Sequence, residues 1–208
     1  MRLIGGYASP FVRRVGITLH LYGIPFDHDP VDTESRALLE PYSPIGRIPA
    51  LVLDGGEVLT DSSAIIDYLD EQQGDTVLIP REGRARREVL ALTALALATG
   101  DKYVAAWYEQ TGRPDSHIWQ PWLDRLTRQV RQGLTALEAR MSQDFMLGEQ
   151  MTQADVTAVA VLDGIRFDMA DLAPEGAYPK LSALSKRMSA LPAFARTHPA
   201  AARPAESG

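Results

Sequence analysis

The sequence predicts an α+β domain in the order β-α-β-α-β-β-α, followed by an all-α domain. Three observations support that class. Over residues 1–76, short apolar runs alternate with turn residues and with capped helical patterns, as strands and helices do in one small unit. Residues 77–83 contain Pro80 and Gly83 and read as a linker. Over residues 84–197 the apolar positions recur only at helical spacing, with no strand signal. The remaining residues, 198–208, are rich in Ala and Pro, lack periodicity and read as a flexible tail.

In chain order, Arg2-Leu3-Ile4-Gly5 is a short first strand and Gly6-Tyr7-Ala8 its exit loop. Ser9-Pro10 opens a helix, because serine is a preferred N-cap and proline a preferred first helical residue. Phe11, Val15, Thr18, Leu19 and Tyr22 follow at helical spacing, and Gly23 stops the run. Arg13 and Arg14 on this helix read as solvated charges, one of which could brace a site. Pro25 to Val31 is an edge strand, since its prolines remove ladder donors. Glu34 to Glu40 is a short helix.

Ala50-Leu51-Val52-Leu53 reads as a buried strand, Asp54-Gly55-Gly56 as a tight turn and Glu57-Val58-Leu59 as the returning strand. Sheet building explains the preceding Ile48-Pro49 poorly. A cis bond there would turn the backbone and present the polar groups of Ile48 outward. Asp61, Ser62 and Ser63 offer N-caps to a helix carrying Ala64, Ile65, Ile66, Tyr68 and Leu69.

The helical half divides into four stretches. Arg84 to about Gln110 carries Val89, Leu90, Leu92, Leu95 and Leu97 on more than one face. Asp115 to Arg140 places Trp119, Trp122, Leu126, Val130, Leu134 and Leu137 on one face. Thr152 to Met169 and Pro179 to Ala190 complete the set. Thr152 and Asp155 form a capping box, with Asp where Glu is usual. The arginines of 81–87 and 125–131 stand beside acids and read as solvated faces.

Composition closes off several functions. With 208 residues, 45% hydrophobic and 23% charged, the chain can bury a full core. A net charge of −6 argues against nucleic acid as a partner, because phosphate binding needs a basic surface. The absence of cysteine excludes disulfides, thiolate metal sites and thiol exchange by the protein itself. The four histidines show no ligand spacing, so no metal is expected. Met1 to Gly6 is too short for a secretory leader, and no apolar run is expected to reach the length of a membrane span. These features lead us to expect a soluble cytoplasmic protein.

Arg47-Ile48-Pro49-Ala50-Leu51-Val52, followed by Leu59-Thr60-Asp61-Ser62-Ser63-Ala64-Ile65-Ile66-Asp67-Tyr68-Leu69, resembles the cytosolic glutathione S-transferase family. The strand and helix order of the first half is the thioredoxin-like order of that family's glutathione-binding domain. Gly148-x-x-x-Thr152-x-Ala154-Asp155-Val156 is similar to the signature of its helical domain. The resemblance implies that the backbone of Ile48, before a cis Pro49, pairs with the cysteinyl unit of glutathione. It implies that Asp61 and Ser62 hold the γ-glutamyl end, where helix N–H groups and the helix dipole favour a carboxylate. Arg47 stands where relatives often have Lys, and its charge could pair with a glutathione carboxylate.

Glutathione chemistry needs the thiol as thiolate, and lowering a pKa of about 8.5 by ~2 units takes ~3 kcal/mol. A hydroxyl donor at the positive end of a helix can supply that. Ser9-Pro10-Phe11 looks like the motif of serine-type transferases of the tau kind, with Cys at the matching place in the omega kind, so Ser9 is the expected catalyst and Tyr7 its alternative. Phe11, Tyr103, Trp107, Tyr108 and Phe167 are candidates for an electrophile pocket. The implied activity is transfer of glutathione to small hydrophobic electrophiles by a homodimer. Peroxidase or isomerase action on the same platform, and a non-catalytic binding or regulatory role, are the alternatives. The maleylacetoacetate isomerase kind usually carries Ser-Ser-Cys-x-x-Arg after the first strand, and Ser9-Pro10-Phe11-Val12-Arg13-Arg14 departs from it.

Overall fold

Leu3 and Ile4, both without solvent exposure, lie in an inner strand of the sheet that organises the first half of the chain. The computed structural model describes residues 1–31, 33, 35–74 and 77–202. Strand β1 (Arg2–Ile4) pairs in parallel with β2 (Asp27–Asp29) on one side and antiparallel with β3 (Ala50–Val52) on the other. β3 pairs antiparallel with β4 (Val58–Thr60), giving the order β2-β1-β3-β4. β2 is therefore an edge strand, as its flanking prolines predict. The β3–β4 turn closes with the Leu53 N–H on the Glu57 carbonyl and the Gly56 N–H on that of Leu53.

Successive strand residues face opposite sides, so Ile4 packs with Leu39 and Ala50 while Leu3 faces the other layer. Leu39 belongs to the short helix α2 (Arg36–Leu39); the expected start of that helix at Glu34 lies outside the described residues. The other layer contains α1 (Pro10–Leu21) and α3 (Ser62–Gln72), which pack against each other. Both helices begin on the expected caps, Ser9 and Asp61.

Two compact units result: Met1–Leu78 together with the chain from Ser189 onward, and Ile79–Met188. The boundary expected at residue 76 falls on Thr76, outside the described residues. Residues 189–197, read from the sequence as the end of the helical domain, group instead with the first unit. There α8 (Pro192–Arg196) packs on α1 and buries Phe194 completely.

The second unit is helical: α4 (Gly83–Thr111), α5 (Gln120–Arg140), α6 (Gln153–Asp168) and α7 (Pro179–Ser189). α4 packs against α5 and α6. At Gly133 of α5 an added Cβ would meet Thr99 Oγ1 of α4 at 2.1 Å, so these two helices approach through the missing side chain. α4 is long and apolar enough to meet the length criterion for a membrane span, contrary to the sequence expectation. Its Val89, Leu92, Ala96, Tyr103 and Ala106 are buried, in the manner of a core helix.

The capping box forms as expected at the start of α6. Asp155 accepts from the Thr152 N–H and hydroxyl, both at 2.8 Å, and from the Met146 N–H at 2.8 Å. α6 is buried from Gln153 to Ile165. Glu138 of α5 reaches the first turn of α7, accepting the N–H groups of Lys180 and Leu181, each at 2.9 Å. One expectation fails on α5. Leu126, Val130, Leu134 and Leu137 are buried, but Trp119 is 65% exposed and Trp122 is also exposed. Trp119 is the residue before the helix, so the helical period does not govern where it points.

Candidate active site

Strand register brings the sequence-predicted residues of the first unit to one edge. Ile4 stands opposite Ala50, and Ala50 opposite Thr60. The chain leaves β1 there towards Ser9, enters β3 there through Ile48-Pro49, and leaves β4 there into Asp61-Ser62. The Ile48-Pro49 bond is cis. Among the described residues no backbone partner engages the Ile48 N–H or carbonyl outside the helices and strands. Gly5, which sequence reasoning passed over as a strand end, makes this edge possible. It has φ +121°, and a Cβ there would meet Val12 Cγ2 at 2.7 Å and Ile48 Cβ at 2.9 Å. The cis-proline loop and α1 close over it.

Ser9 is half-buried at the N-cap of α1, where its hydroxyl oxygen accepts the Val12 N–H at 3.4 Å. A hydroxyl that accepts still has its own proton to donate, and this one sits at the positive end of a 12-residue helix. Tyr7 is placed differently. Its ring is buried and stacks on His28 at 4.0 Å between centroids, and it fills the space beside Gly16, where a Cβ would meet it at 2.5 Å. Burial pushes the Tyr7 phenol up to about 12. The stacking partner, His28, is fixed by Nε2 against the Gly5 carbonyl at 2.8 Å.

At the start of α3, Asp61 has φ 69°, a left-handed conformation that costs about 1–3 kcal/mol away from glycine. Its Oδ1 accepts the Ser63 N–H at 2.8 Å, so the cap predicted from sequence is made. The Asp61 side chain remains exposed, whereas Ser62 is only 3% exposed. Beneath Ser62 lies the guanidinium of Arg14, whose Nη1 donates to Ser62 Oγ at 2.9 Å. Arg13 and Arg14 are not solvated: they are 0% and 1% exposed. Burial pulls Arg14 down to about 10, against the opposing pull of Asp61 and Asp70, so it keeps its charge at neutral pH. Asp70 in turn accepts from the Tyr22 hydroxyl, and Tyr22 accepts the Leu78 N–H at 2.8 Å. Nothing in the local sequence pattern signals this network, because its members are separated by 48 and 56 residues.

Arg47 lies exposed in the loop before the cis-proline, its N–H held by the buried Ser43 hydroxyl at 2.9 Å. Phe11 is half-buried in the first turn of α1. The other pocket candidates belong to the second unit. Tyr103 is enclosed, 1% exposed, with its hydroxyl donating to Asp168 and its ring against Gly164. Burial raises its phenol, and the Asp168 hydrogen bond raises it further. Trp107 and Phe167 are half-buried, and Tyr108 is exposed, edge-on to Trp107 at 4.9 Å.

Known proteins share this plan. Residues 8–72 match the family model for the glutathione S-transferase N-terminal domain, and residues 120–187 match that for the C-terminal domain. A maleylacetoacetate isomerase from Rhizobium meliloti is 33% identical over 204 residues, covering 92% of each chain. One from Pseudomonas aeruginosa is 32% identical, covering 96% of each. The crystal structure of a glutathione transferase family member from Pseudomonas fluorescens Pf-5, with bound glutathione, is 34% identical. It superposes with a TM-score of 0.86 over 95% of this chain and 98% of that one. Identity at this level along nearly the whole length, on the same pairing of a four-stranded sheet unit with a helical one, makes the chain a member of the glutathione S-transferase family.

Proposed function

We propose that this enzyme binds glutathione at the shared edge of β1, β3 and β4 and activates its thiol as thiolate for attack on a small hydrophobic electrophile. The observation that carries the reading is the register Ile4–Ala50–Thr60, which gathers Ser9, Ile48, Asp61 and Ser62 at one end of one sheet. The arrangement suits a tripeptide with its thiol in the middle. Ile48 offers an open backbone edge for the cysteinyl unit. Ser62 and the first N–H groups of α3 receive the γ-glutamyl carboxylate, and the exposed Asp61 carboxylate faces its ammonium. Arg47 pairs with a glutathione carboxylate.

Ser9 donates to the sulfur, with the N-terminus of α1 behind it. The buried, stacked ring of Tyr7 speaks for packing, which supports Ser9 in this role. Phe11, in the first turn of α1 beside Ser9, supplies apolar contact to the electrophile, and the enclosure of Tyr103 speaks for a place in the core of the second unit. The working form is a cytoplasmic homodimer.

A second reading, glutathione-dependent isomerisation, is favoured by the names of the relatives from Rhizobium meliloti and Pseudomonas aeruginosa. The same bound thiolate would serve it. Retention on immobilised glutathione tests both readings. A conjugation assay with a general electrophile, run beside isomerisation of maleylacetoacetate, then separates them. Retention with conjugation and little isomerisation supports transfer, rapid isomerisation with negligible conjugation moves the function to the second reading, and failure of retention removes both.

A further inference from the structure

The sequence offers Arg13 or Arg14 as a brace for a site, and it is Arg14 that lies buried against Ser62, directly beneath that site. A guanidinium is a donor only, so in the Arg14–Ser62 contact the serine oxygen must accept. The Ser62 proton is thereby turned away from Arg14. A serine hydroxyl free to rotate would spend part of its time presenting a lone pair to an incoming carboxylate, which is repulsive. With its oxygen held at 2.9 Å from Nη1, it presents its proton instead.

We propose that Arg14 is the positioning residue of the γ-glutamyl carboxylate subsite: it fixes Ser62 as a hydrogen-bond donor towards that carboxylate. The proposal rests on the glutathione reading above. Asp61 and Asp70 compensate the buried cation, and Asp70 is itself held by Tyr22. Arg14 needs no contact with the ligand, because it acts through one oxygen of Ser62.

The test is titration calorimetry with two ligands: glutathione, and an analogue whose γ-glutamyl α-carboxyl is replaced by hydrogen. Calorimetry reports affinity and the number of competent sites separately, so partial misfolding lowers the site count and leaves the affinity readable. Arg14→Met is expected to weaken glutathione about tenfold or more, the scale of one charge-assisted hydrogen bond, while the analogue changes by less than about threefold. Arg14→Lys, which keeps donors and charge, should recover most of the selectivity. In the double variant Arg14→Met/Ser62→Ala, glutathione should bind no more weakly than to Ser62→Ala alone, because the arginine acts through the serine. Equal weakening of both ligands by Arg14→Met, loss of selectivity in Arg14→Lys as complete as in Arg14→Met, or additive losses in the double variant would overturn the proposal. The glutathione reading fails in a different way: the wild type would then bind both ligands alike, or neither.

Discussion

Ser9 and Tyr7 stand two residues apart in the exit from β1, in different surroundings. Ser9 keeps a donor proton at the end of a helix, while Tyr7 is wedged between His28 and the bare Cα of Gly16. Tyr7→Phe removes only the hydroxyl of a buried ring, so the pH profile of turnover should keep its midpoint. A midpoint displaced upward by about a unit or more would give the thiol to Tyr7. At the far end of the ligand, Ser62→Ala and Asp61→Ala should each weaken glutathione binding by about 1.5–3 kcal/mol and slow the bound-state chemistry little. Wild-type affinity in both variants would refute that placement. The caps Ser9 and Asp61 were legible in the sequence because caps are local: the residue type and the next three positions define them. Arg13 and Arg14 were not. Charge on a helix reads as solvation until the facing element is known, and here that element begins 48 residues later.

At the scale of elements, close approaches through glycine control the geometry. Gly5→Ala forces a side chain into a backbone with φ +121° and against Ile48 Cβ at 2.9 Å. It should cost about 1–3 kcal/mol of stability and weaken glutathione binding as well, because the displaced loop carries Ile48. Loss of stability with unchanged binding would show that the loop tolerates the shift. The α6 box is the corresponding device in the second unit. Asp155→Ala leaves three donors without their acceptor and should lower the unfolding free energy by ~3 kcal/mol or more, measured in denaturant.

Burial raises the Asp155 carboxyl above its ordinary value even against its hydrogen bonds. The folded chain therefore holds that proton more tightly than the unfolded one. Its contribution is greatest in acid and is lost as pH rises through the carboxylate range. The Thr152/Asp155 spacing made this box readable in the sequence, whereas its third donor, Met146, lies in a loop without any pattern to mark it.

For the molecule as a whole, the class was legible because short apolar runs alternate with capped helical patterns in the first half, whereas only the helical period recurs in the second. The return of α8 to the first unit was not, since five residues opened by Pro192 carry too little periodicity to assign a partner. Leu90 is 39% exposed on α4, and Leu95 and Leu97 of the same helix are half-buried, which leaves apolar surface for a second copy. Light scattering after gel filtration should give twice the 22.8 kDa of the chain, and a monomer mass at micromolar concentration would sink the homodimer.

Activation of the thiol is read by the ultraviolet thiolate absorbance of glutathione bound to the wild type and to Ser9→Ala, followed as pH is raised. An ionisation well below the free thiol's value of about 8.5 is expected in the wild type and a return towards it in the variant, with glutathione still bound. A bound thiol that ionises in the wild type where free glutathione does would contradict that activation.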